Sequence, residues 1–184
     1  MLAFFAIIFG IIYFDQLTKW LAVIFLKGEG STYVIDHFLR FTYVENRGAA
    51  FGMLSNQRWI FLVLSSVMIV AIVIYMVKYR PKSKLAFLSA AFIVGGGIGN
   101  MIDRILLGYV IDFIDFYTIW DFVFNVADVF VCVGAGLMML YLVISIIEET
   151  KAEKKAKLTA SPANDDSQEN ETKKDETSEV EKGE

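Results

Sequence analysis

Histidine and cysteine are nearly missing from this chain: His37 and Cys132 stand once each among 184 residues. One cysteine excludes an intrachain disulfide and any cysteine-based metal cluster, and one histidine excludes an H-E-x-x-H zinc site. His37 lies in a stretch rich in β-branched and aromatic residues and reads as a strand-edge residue, which leaves no Ser-His-Asp or Cys-His pair to build on. Cys132 sits in an apolar run and reads as a small membrane-buried hydrophobe. The first residues carry no basic segment ahead of their apolar run and no A-x-A site after it, so that run reads as a retained span rather than a cleaved signal. No segment resembles a nucleic-acid-binding module.

Charge is also scarce over four long runs, near residues 2–26, 59–77, 85–102 and 122–147, where Asp15, Lys19 and Asp128 are the charged residues. With 56% hydrophobic residues and a mean hydropathy of +0.53, the chain is too apolar for one soluble core. About 20 apolar residues cross a bilayer as a helix, and runs this long exclude barrel strands. The sequence therefore predicts an all-α integral membrane protein of four transmembrane helices. Tyr, Val, Ile, Phe and Thr between Ser31 and Val44 predict a small extracytoplasmic β element of one or two strands. The loop Asn46 to Phe51 that follows is expected to be ordered.

Acidic residues are missing from the connector Lys78–Lys84, which holds Lys78, Arg80, Lys82 and Lys84. That is a positive-inside signal and places both termini in the cytoplasm. The connector after the third span holds Asp103, Asp112, Asp115 and Asp121 against Arg104 and falls outside. Residues 1–147 carry ten Lys/Arg and nine Asp/Glu, whereas 148–184 carry seven and twelve, so the net charge of −4 belongs to the tail. We expect a membrane-embedded domain over 1–147 and a disordered, charged cytoplasmic tail over 148–184, with Lys151, Lys154, Lys155 and Lys157 near anionic headgroups.

Within the apolar windows a few polar residues recur at one depth. Asp15 and Lys19 are spaced to pair on one helix face, and an ionisable group there is a functional hypothesis by default. Gly95 and Gly99 form a face for close helix approach. Asn100, Asp103 and Arg104 share a side of the third window, with Asp103 and Arg104 expected to pair. Asn125 and Asp128 share a face of the fourth, with Asp128 about 10 Å inside the boundary. Asp112 falls in the outer loop between them. All these groups lie in the outer half of the membrane. Carboxylates among amides and one arginine suit an aspartic mechanism, in which two carboxyl groups share a proton; spacing alone does not choose the two.

Four blocks carry a resemblance: Asp15-Gln16-x-Thr18-Lys19; Asn46-x-Gly48-Ala49-Ala50-Phe51; Gly96-Gly97-x-Gly99-Asn100-x-x-Asp103-Arg104-x-x-x-Gly108-x-Val110-x-Asp112-Phe113; and Phe124-Asn125-x-Ala127-Asp128. In order and spacing they resemble bacterial lipoprotein signal peptidase, the type II signal peptidase. The resemblance implies removal of the signal peptide from diacylglyceryl-modified prolipoproteins before the lipidated cysteine, with no metal or cofactor, inhibition by globomycin, and a monomer in the lipid membrane. It implies Asp112 and Asp128 as the catalytic pair, Asn46, Asn100, Arg104 and Asn125 as substrate-binding residues, and Asp15, Lys19, Gly48 and Asp103 as structural support. The stretch Phe113 to Phe124 is short, which leaves the loop over the site open. A small four-helix channel or transporter using intramembrane acids is the alternative. It requires a polar route to the inner face, and Val67–Val77 and Gly136–Ile147 offer little beyond Ser145.

The charge asymmetry sets the topology test. In a Cys132→Ala background, a cysteine replacing Lys82 should react with an impermeant thiol reagent only in opened cells, and one replacing Tyr117 in cells with a permeable outer wall. The reverse pattern overturns the orientation.

Overall fold

The computed structural model describes residues 1–48 and 57–160. Ala49, Ala50 and Phe51, the end of the loop expected to be ordered, lie outside the described residues, as do tail residues 161–184. By contact, Met1–Tyr141 forms one unit and Leu142–Glu184 another. In chain order the elements are α1 (Leu2–Leu26), β1 (Thr32–Ile35), β2 (Leu39–Asn46), α2 (Arg58–Tyr79), α3 (Lys84–Leu106), β3 (Val110–Asp115), β4 (Val123–Phe124) and α4 (Val126–Ala160). All four helices are long and apolar enough to cross a membrane.

Helix α1 buries Phe4, Ile8, Ile11, Asp15, Lys19 and Ala22, a stripe in steps of three and four. Asp15 and Lys19 therefore occupy packing positions that apolar residues hold in the N-terminal half of the same helix. The opposite face presents Phe9, Tyr13, Trp20 and Phe25, where lipid is the solvent. Phe4 and Ile8 pack with Met76 of α2 and with Ala90, Ala91 and Val94 of α3 into one apolar core.

Helix α3 is the central element because its small residues let three neighbours approach. A Cβ on Gly95 would lie 3.0 Å from Ile11 of α1, and one on Gly99 2.5 Å from the Asp15 carboxylate. The Gly95/Gly99 face thus receives α1. One step round, a Cβ on Gly96 would collide with the Ala127 carbonyl of α4, and one on Gly97 would press on Ile69 of α2 at 3.2 Å. Ser83 caps α3 by accepting the Ala86 amide. Helix α2 stops at Arg80, whose left-handed φ of 45° precedes Pro81.

The α1–α2 and α3–α4 connectors together form one antiparallel sheet in the order β1-β2-β3-β4. More of it is strand than expected, since β3 and β4 arise in the stretch read as an outer loop. Asp112 is consequently held in a strand, paired across from Val44. Gly108, at φ 84°, turns the chain from α3 into β3. Under the sheet, Ala22 of α1 packs with Ile111 and Phe113.

Two boundaries differ from expectation. Asn125 precedes α4 rather than lying on it, because Val123 and Phe124 pair with Asp115 and Ile114 as a strand. Asp128 therefore stands in the first turn of α4, not about two turns down. Hydropathy has the same value in a strand and a helix, so the apolar run could not mark where one became the other. At the other end, α4 continues through the charged residues to Ala160. Ala, Glu and Lys are strong helix formers, and Glu153 stands four residues before Lys157, so the composition change at Glu148 does not end the helix.

Glycine packing predicts opposite effects at two sites. Gly96→Ala forces α4 away from α3, should destabilise by about 1–3 kcal/mol, and should lower the thermal midpoint of the detergent-purified protein. Gly136→Ala has no atom within 4 Å of its added Cβ and should leave the midpoint unchanged or raise it.

Candidate active site

A cation sits at the base of the polar cluster. The buried Lys19 ammonium lies 2.9 Å from Asp15 Oδ2 and 3.0 Å from Asp103 Oδ2, and it donates to Asn100 Oδ1 at 2.9 Å. The two acids then use their remaining capacity to join elements. Asp15 Oδ1 accepts the Ala127 backbone N–H at 2.9 Å, fixing the first turn of α4 on α1. Asp103 Oδ2 accepts the Ile111 N–H at 3.1 Å, fixing β3 on α3. Gln16 donates to both acids and to the Gly99 carbonyl. Among the described residues no buried side-chain N or O lacks a partner, as a low-dielectric site requires. Asp103 pairs with Lys19, not with its neighbour Arg104 as the sequence suggested, because it faces α1 while Arg104 faces α2.

Above this base stand two more carboxylates. Asp112, 2% exposed on β3, accepts Asn125 Nδ2 at 2.6 Å on Oδ1 and Asn46 Nδ2 at 2.8 Å on Oδ2. Asp128 accepts Asn100 Nδ2 at 2.8 Å on Oδ1 and the Asn125 backbone N–H at 3.1 Å on Oδ2. The Asp128 N–H returns a bond to Asn125 Oδ1 at 2.9 Å, so Asn125 and Asp128 form a reciprocal cap on α4. Asn125 is itself fully buried and donates also to Asn100 Oδ1 at 3.0 Å. One residue thereby touches both carboxylates. Burial pushes the Asp112 carboxyl up to about 7, and the Asp128 charge adds to the shift, against the pull of Asn46 and Asn125.

Asn46 is itself steered by the Gly48 N–H, which donates to its Oδ1 at 3.0 Å and so turns Nδ2 toward Asp112. Arg104 lies 5.0 Å over the ring of Phe61 on α2. Two cavities meet at Arg104, Phe61, Asp128 and Val131. One, of about 270 Å³, runs beneath the sheet past Asn46, Gly48, Phe122, Phe124 and Cys132. The other, of about 180 Å³, descends between α2, α3 and α4 past Ser65, Met68, Gly97 and Asn100. A cavity of about 280 Å³ between α1 and the sheet is lined by Leu21, Ala22, Phe25, Leu26, Phe41, Phe113 and only one polar side chain, Thr18, which offers no chemistry.

Of the residues singled out in the sequence, Asp15, Lys19, Asn46, Asn100, Asp103, Arg104, Asp112, Asn125 and Asp128 thus come together. Two further polar groups are buried. Asp115 is 4% exposed and takes a bond from Arg40 Nε at 2.6 Å. Asn125 is closed off from solvent and spends its amide on the carboxylates. Phe61 was missed, because a cavity-lining phenylalanine in an apolar span looks like any lipid-facing one. His37 is exposed in the β1–β2 turn beside Asp36.

The family model for signal peptidase II matches residues 7–144. A lipoprotein signal peptidase of Caldanaerobacter subterraneus subsp. tengcongensis is 49% identical over 134 residues, covering 73% of this chain and 90% of that protein. One from Clostridioides difficile is 40% identical over 136 residues, covering 74% and 91%. A solved structure described as a bacterial membrane enzyme superposes with a TM-score of 0.73 at 32% identity, over 79% of this chain and 90% of that one. A second such structure gives 0.70 at 33% identity, over 77% and 93%.

The pairing of the carboxylates is open to titration. The infrared carboxyl stretch assigned by its loss in Asp112→Asn should titrate with a midpoint near the value of about 7 set by burial and Asp128. Asp128→Asn removes a negative neighbour and should move that midpoint down, without returning it to 3.8, because burial is the larger cause. An unmoved midpoint means that the two groups do not sense each other.

Proposed function

The chain belongs to the signal peptidase II family and removes signal peptides from prolipoproteins, and from that premise we propose that Asp112 and Asp128 are its catalytic aspartates. The observation that supports this pair over the other acids is the Asn125 bridge. Its side chain donates to Asp112 and its backbone to Asp128, while Asp15, Asp103 and Asp115 are committed to Lys19 or Arg40.

The two environments suggest a division of labour. Asp128 lines both cavities, so it is the carboxyl group placed to meet water. Asp112, raised to about 7, carries the proton. In this reading Asp128 removes a proton from water as its oxygen attacks the scissile carbonyl carbon, and Asp112 gives its proton to the carbonyl oxygen. The resulting diol collapses with breakage of the C–N bond: Asp128 passes its proton to the leaving nitrogen, and a diol hydroxyl returns one to Asp112. Arg104, beside both cavities, is suited to holding a substrate carbonyl. Asn46, Asn100 and Asn125 serve chiefly to hold the carboxylates, since each donates to a carboxylate oxygen.

The finer substrate description follows from the setting. A cavity descending between spans from Asp128 suits a substrate already anchored by acyl chains, so the scissile bond is taken to precede a diacylglyceryl cysteine, with globomycin as the expected inhibitor. The basic Lys78–Lys84 connector supports cytoplasmic termini and a site near the outer face. Residues 1–147 are taken as the membrane-embedded peptidase domain, acting as a monomer. A channel is disfavoured, because the relatives are peptidases over most of their length.

Asp112→Asn and Asp128→Asn should each abolish cleavage of a diacylated prolipoprotein by purified protein, and the double substitution should cost little beyond either, because residues acting as a unit are non-additive. Asp121→Asn, which alters an exposed acid, should retain near-parental turnover. Turnover surviving in Asp112→Asn withdraws the assignment of that residue.

A further inference from the structure

Accepting Asp112 and Asp128 as the catalytic pair, we infer that Lys19 is a positioning residue for catalysis, because its ammonium holds the Asn100 amide with its N–H toward Asp128. The two ends of an asparagine amide have the same shape, so their orientation is set by what they face. An ammonium only donates, hence the Asn100 atom 2.9 Å from Lys19 Nζ is the carbonyl oxygen. The nitrogen is then the atom 2.8 Å from Asp128 Oδ1. Asn125 Nδ2 supports the same orientation with a second bond to that oxygen at 3.0 Å. Of the two, the bond from Lys19 is charge-assisted and the stronger.

This is a different task from supporting the fold. Asp15 ties α1 to the start of α4 and Asp103 ties α3 to β3 through backbone N–H groups, and those bonds do not pass through Asn100. Lys19 does not line either cavity that holds Asp128; it borders a separate one of about 290 Å³ with Trp20, Lys27 and Tyr109. It therefore does not meet the substrate, and its hydrogen bond reaches Asp128 through Asn100. With the ammonium gone, Asn100 can turn its carbonyl to Asp128, which then must keep a proton to be satisfied and cannot take one from water.

The experiment is a double-mutant cycle on purified protein with a diacylated prolipoprotein: parent, Lys19→Met, Asn100→Ala and both together, each also followed by thermal midpoint. Asp128→Asn serves as the control for the catalytic assignment. We expect Lys19→Met to lower kcat about 10- to 100-fold with KM unchanged. In the Asn100→Ala background the same change should lower kcat by no more than about 3-fold. If Lys19→Met does not fold, the charge-balanced pair Asp15→Asn with Lys19→Met replaces it, with the same expectations. Equal kcat losses in both backgrounds, a raised KM at parental kcat, or a parental kcat would each overturn the inference. A dead Asp128→Asn beside a fully active Lys19→Met sinks only the role of Lys19, whereas an active Asp128→Asn sinks the catalytic assignment itself.

Discussion

A carboxylate buried in a low-dielectric interior persists only when N–H donors or a cation answer its oxygens, and the Asn125 amide is where that demand is met for two carboxylates at once. It is fully buried, caps α4 through Asp128, and donates to Asp112 on β3. For that one residue to reach both, β3 must lie on α3, and the first turn of α4 must lie on α1. The Asp103 and Asp15 bonds to backbone N–H groups accomplish these two placements. Lys19 then balances the acids that do so. The glycines of α3 follow from the same need, since a single Cβ at Gly99 would occupy the space of the Asp15 carboxylate.

Sequence alone made a good part of this legible. Four apolar runs of bilayer length marked the spans, the i, i+4 spacing of Asp15 and Lys19 marked their pairing, and Gly95 with Gly99 marked a helix-receiving face. These are local signals, written within one turn or one window. What lies between elements was not legible. No spacing links Asn100 to Asp128 or Asn46 to Asp112, so the residues alone left open which two acids work together, and the resemblance to a family had to choose them. The Arg40–Asp115 pair was hidden for the same reason, because β2 and β3 are joined only through their register. Asn125 was misplaced on the helix because hydropathy does not distinguish β4 from the turn that follows it.

Lipid as solvent also explains why the fold needs so little apolar core. The outer faces of α1 and α2 leave Phe9, Tyr13, Val63 and Val67 uncovered, so the interior can be spent on small residues and on polar groups. A site built this way concentrates ionisable side chains in one layer, where burial and mutual repulsion separate the affinities of two carboxyl groups for a proton. That separation is what lets an aspartate pair act as acid and base together near neutral pH.

The central claim is that Asp112 and Asp128 work with one proton between them. The most direct measurement is kcat/KM for a diacylated prolipoprotein as a function of pH. A shared proton predicts a bell whose alkaline limb falls near the value of about 7 to which Asp112 is raised. A kcat/KM that climbs with pH to a plateau, as for a single ionised carboxylate, would contradict it.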